Sequence, residues 1–132
     1  VPDRTLHNDS TEVVGIASSI SEASATFTPA TPNASVDRAT AMMSPKSAEA
    51  FKNEFANVAK DLTSKNISAQ AGTVSAGIEA IGPDAASVAV ILRATQNAPG
   101  KPTDTAVLAL RVQLSKSDGH WLVDDVSPIH SR

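Results

Sequence analysis

Residues 107–126, VLALRVQLSKSDGHWLVDDV, alternate in polarity on either side of a Ser-Asp-Gly break. A period of two sends successive side chains to opposite faces of a strand. On the first arm, Thr105 to Lys116, the side chains of Leu108, Leu110, Val112 and Leu114 share one face, opposite Val107, Ala109, Arg111 and Gln113. Ser117-Asp118-Gly119 predicts a tight hairpin, because Gly119 can take positive φ. The second arm, His120 to Val126, stops at Ser127-Pro128, since Pro128 has no N–H for a ladder. Strict alternation there puts Trp121, Val123 and Asp125 on one side and Leu122, Asp124 and Val126 on the other.

Upstream, the same period continues. Ile67 to Ile81 reads as one long strand in which Gly72 and Gly77 mark bulges or a bend. Gly82-Pro83-Asp84 is a turn, and Val88, Val90 and Leu92 then alternate with Ser87, Ala89, Ile91 and Arg93. NAPGKPTD (97–104) is a loop with two prolines. Short links of this kind argue antiparallel pairing throughout.

Before residue 67 the period is helical. A first helix is expected with Asp9 as cap and Glu12 as its capping-box partner, carrying Val13, Ile16, Ala17 and Ile20 on one face. TPATPN (28–33) interrupts it. Ser35 is expected to cap a short helix through Met43, and Ser44-Pro45 to start a third. That third helix has the clearest stripe: Ala48, Phe51, Phe55, Val58 and Leu62. It is expected to cover the sheet, each large apolar side chain contributing about 1.5–3 kcal/mol, with Phe55→Ala the costliest core change. Helices first and strands afterwards give an α+β class: about three helices on a curved four-stranded antiparallel sheet. The organisation expected is a flexible N-terminal segment (1–8), one α+β domain (9–130) and a two-residue tail (131–132).

Composition narrows the function. The 132 residues carry 11 basic and 14 acidic groups, net −3, with three Phe, one Trp and no Tyr, so the stacking aromatics and basic stripe of a nucleic-acid binder are missing. Without Cys, disulfides, thiolate metal sites and cysteine nucleophiles are excluded. Of the apolar residues 22 are Ala, which predicts a thin core whose elements approach closely. No apolar run is long enough to cross a membrane. The chain begins at Val1, consistent with a processed form or a fragment.

The chemistry is sparse. His7, His120 and His130 have no helical ligand spacing, and no metal or cofactor is expected. No G-x-S-x-G elbow or phosphate loop occurs. Asp124 and Asp125, as neighbours on a strand, cannot share a proton. The first reading of this pair is a solvated strand end, or a partner for Arg111 or Arg93; the second is a pocket carboxylate. Trp121 reads first as a core anchor whose indole N–H finds one acceptor, and second as a ligand or partner contact. Three Asn-x-Ser triplets (Asn8, Asn33, Asn66) fit a Ser/Thr-rich composition.

The block Val107–Ile129, with Asp118-Gly119, Trp121-Leu122-Val123, Asp125 and Pro128, resembles the closing hairpin of the mammalian cell entry (Mce)-associated membrane proteins of actinobacteria. Met43 to Phe51 (MSPKSAEAF) and the Pro83-Asp84 turn match the same family, so the likeness spans roughly residues 10 to 129. The resemblance implies a nuclear transport factor 2-like (cystatin-like) cone. It also implies an extracytoplasmic place in the cell envelope behind an N-terminal membrane anchor not contained in these residues, and a non-enzymatic accessory role in lipid or sterol import through contacts with Mce transporter components. Family members supply no catalytic residues. An isomerase oxyanion arrangement, which uses Tyr and Asp, cannot be built without Tyr. The alternative is binding of a small apolar ligand between sheet and helices. For either role the candidate contact residues are Trp121, Asp125, Phe51 and Phe55.

Overall fold

In a computed structural model, the backbone is described for residues 2–129 and the side chains for residues 9–129. Three helices, α1 (Pro2–Ser24), α2 (Ala34–Thr40) and α3 (Pro45–Ser64), precede four strands. These are β1 (Ser68–Ile81), β2 (Ala85–Asn97), β3 (Asp104–Ser117) and β4 (His120–Pro128). The strands form one antiparallel meander in the order β1-β2-β3-β4. The α+β class and the helices-then-strands order are as expected.

The final hairpin closes as its sequence predicts. Ser117 pairs with His120, and both loop residues, Asp118 and Gly119, have positive φ (52° and 80°). A two-residue loop with both residues left-handed matches the right-handed twist of its strands. Val88, Val90, Leu92, Val112, Leu114 and Val123 line the covered face of the sheet, all of them buried.

The element covering that face is not the expected one. α1 buries Val13, Ala17, Ile20 and Ala23 completely and touches all four strands. Its helix begins at Pro2, so Asp9 lies inside it rather than capping it. α3, despite its clear stripe, has no buried residue. The physical reason is width: four strands span about 15–20 Å, and one helix about 10 Å across fills most of it. Small Ala residues let α1 approach closely. The larger Phe side chains of α3 are left beside it, and α3 contacts β4 and α2.

Other boundaries shift for similar reasons. α2 stops at Thr40, with Asn33 at its N-cap and Ser35 buried inside it. Ser44 does begin α3, but its hydroxyl meets Ser47 Oγ (3.1 Å) instead of capping the backbone. The bulges in β1 fall at Val74 and Glu79, each two residues past the glycine expected to mark it, while Gly72 and Gly77 stay in regular pairs. Glu22 of α1 accepts the Thr73 N–H (3.0 Å) and its hydroxyl (2.7 Å), which satisfies backbone freed at the first bulge.

A third bulge, at Asp124, falls in β4: Leu114 pairs with Val123 and Gln113 with Asp125. The extra residue reverses the alternation, so Val126 returns to the covered face opposite Val112 and Asp125 is turned away from it. The expectation that Trp121, Val123 and Asp125 share a side fails at this point.

Candidate functional site

Trp121 is 4% exposed, and its indole N–H points to Asp9 Oδ1 at 3.4 Å. Lys116 Nζ lies 3.2 Å from the same oxygen and 5.7 Å from the Trp121 ring centroid. These three side chains fasten α1 to the final hairpin. The core reading of Trp121 holds, and its ring leaves no open face for a ligand.

Asp124 and Asp125 are both exposed, with no ion pair among the described residues. Arg111 is taken instead by Glu79, through two hydrogen bonds of 2.8 and 3.0 Å, and Ser87 adds a third to the same carboxylate. The Arg111 guanidinium first, and the Ser87 hydroxyl second, hold the Glu79 carboxyl below its ordinary range. The bulge at Glu79 aims this side chain across β2 to β3.

Phe51 and Phe55 lie on α3 and pack on each other with ring centroids 5.9 Å apart, while Phe27 meets Phe55 at 5.8 Å. The row continues to Val58, which is 52% exposed, and Leu62. α3 thus separates two surface hollows. One, of about 430 Å³, lies between its first turns and β4 and brings Phe51 together with Asp125. The other, of about 280 Å³, is lined by Phe27, Phe51, Phe55, Val58 and Leu62. α1 fills the middle of the covered face, and the second hollow lies at its margin, between α3 and the ends of β1 and β2 at Ala69 and Gln96.

Sequence reasoning missed Phe27 as part of the aromatic row. Its backbone pairs with Ala69 at the start of β1, a contact that no local pattern announces. Among the described residues no three His, Cys, Asp or Glu gather as metal ligands. No described helix is long and apolar enough to cross a membrane. His120 is exposed at the hairpin, while the side chains of His7 and His130 fall outside the described residues.

The architecture is the nuclear transport factor 2-like fold, in the form found in VirB8-type domains. The periplasmic domain of DotI superposes with a TM-score of 0.76 at 8% identity, over 90% of this chain and 94% of that one. An IcmL-like type IV secretion system protein from Legionella pneumophila gives 0.73 at 11%, over 92% and 94%. The VirB8 protein of Agrobacterium tumefaciens gives 0.69 at 10%, over 91% and 92%. No protein-family model matches the sequence, and no curated protein does. The fold implied by the hairpin resemblance is therefore the observed one, and none of these matches carries membership of the Mce-associated family.

Proposed function

We propose that this chain is a non-enzymatic protein-interaction domain of a cell-envelope assembly, with α3 as its contact helix. The observation that carries the reading is the aromatic row of α3, which folding leaves without a buried residue although its sequence is amphipathic. Contiguous apolar surface left exposed on a folded domain is a feature of contact surfaces. Two of the structural neighbours named above support the setting, one a periplasmic domain and one a type IV secretion system protein. An extracytoplasmic location belongs to the same reading. Within it, the hairpin resemblance favours components of an Mce-type lipid or sterol importer as partners, and the structural neighbours favour a secretion-type assembly.

The test is cross-linking of the full-length protein in membranes, with identification of the proteins joined to it. Val58→Asp should abolish the dominant cross-link while changing stability by no more than about 0.5 kcal/mol. An unchanged cross-linking pattern in that variant would count against α3 as the contact helix. Importer or secretion components in the product decide between the two settings.

A second reading rests on the hollow beside Phe27 and Phe55, whose lining is mainly apolar. At about 280 Å³ it lies just below the usual volume of ligand sites. A fatty acid or sterol there would raise the melting temperature, and a flat thermal-shift screen would remove this reading.

A further inference from the structure

β4 is an edge strand, and among the described residues its free side is paired only at Val123. The Val123 N–H donates to Met42 O (2.8 Å), and Val123 O accepts from Ser44 N (2.9 Å) and Ser47 Oγ (2.8 Å). At Pro45 the chain leaves this edge for α3, and no strand of the described residues lies beside Asp124–Ser127 on that side. The hollow of about 430 Å³ opens at this point. Met43, Phe51 and Val126 give it an apolar floor, and Asp124, Asp125 and Glu54 set three carboxylates around it against the single cation Lys46. Among the described residues none of these three acids has an ion-pair partner.

We infer that this slot receives an extended segment of a partner protein, added as a short strand to β4, with cationic side chains flanking an apolar one. Backbone bonding to the free edge supplies attachment, and the apolar side chain enters beside Phe51. The alternate side chains, set by the period of two, meet the carboxylates. Charge also decides against a second copy of this chain. Antiparallel pairing of β4 with itself in the register centred on Asp124-Asp125 would set these carboxylates against their own counterparts, which is repulsive. Acidic residues and a bulge are also common guards of an exposed edge. Here they guard selectively, because the same groups that repel another copy attract a basic strand.

The inference rests on the protein-interaction reading and is tested apart from it. The probe is acetyl-Lys-Val-Arg-Val-Lys-amide, titrated into the isotopically labelled protein at low salt and monitored by amide NMR shifts. Saturating shifts are expected at residues 123–127 and 47–54. The affinity should exceed that of acetyl-Glu-Val-Glu-Val-Glu-amide roughly tenfold and weaken as salt is raised. The exposed pair Asp124→Asn/Asp125→Asn should keep the fold and lose most of that preference. Equal shifts with both peptides, shifts confined to the β1 edge, or an unchanged preference in the double variant would overturn the inference. Should the double variant lose the peptide yet keep every membrane cross-link, this slot is not the docking site, while the α3 reading tested by Val58→Asp stands.

Discussion

At the scale of single residues, core and surface divide differently from the strength of the local pattern. Leu92 is fully buried under α1, whereas the Phe55 ring lies in an open hollow with Phe27 and Phe51. Leu92→Ala leaves an enclosed cavity and should cost about 3–5 kcal/mol in denaturant unfolding, but Phe55→Ala, whose gap water can enter, only about 1–2 kcal/mol. A larger loss for Phe55 would return α3 to the core. Ser21 is buried on α1, and among the described residues its hydroxyl has no hydrogen-bond partner. Relieving a desolvation penalty of about 1–3 kcal/mol makes Ser21→Ala neutral or stabilising, read as an equal or higher melting temperature. Trp121 and the Asp118-Gly119 turn were legible from their own residues, since an indole needs an acceptor and this turn needs two left-handed residues. That Asp9 supplies the acceptor was not legible, because it lies 112 residues away.

Elements show the same division. β2, the second half of β3 and the hairpin turn keep closely to their alternation, because burial on one face fixes register, whereas the first half of β3 is exposed through Leu108. β1 and β4 depart from it at Val74, Glu79 and Asp124, and each bulge re-aims the residues beyond it. Phe51 and Asp125 were singled out for separate reasons, and only the position of α3 beside the β4 edge puts them in one hollow. The bulge at Glu79 creates the contact with Arg111, which has a testable pH signature. A carboxyl whose folded pKa is lowered adds stability above its unfolded pKa, and that stability is lost as pH falls through the folded value. The stability difference between the protein and its Glu79→Gln variant should therefore be present at neutral pH and disappear on acidification below the ordinary carboxylate range. A constant difference from neutral to acid pH would mean that the pair contributes through shape alone.

For the whole molecule, α1 lies across all four strands and is fastened to the last hairpin by Asp9, Lys116 and Trp121. One core shared by the first and last elements should unfold as a unit. The fluorescence of Trp121, the only tryptophan, and far-ultraviolet circular dichroism should then give the same denaturation midpoint. Separate midpoints would mean that α1 leaves the sheet before the strands part. The sequence alone determined the class, the element order, the antiparallel hairpins and the absence of thiol chemistry. All of these depend on residue type and on spacings of two to four positions, within reach of local sterics and periodicity. Only the tertiary structure decided which amphipathic helix covers the sheet, where the bulges turn the strands, and hence which apolar row stays at the surface. Those outcomes are settled by competition for one sheet face about as wide as a helix and its flanks, and a helix cannot register in its own pattern that another has already filled the space.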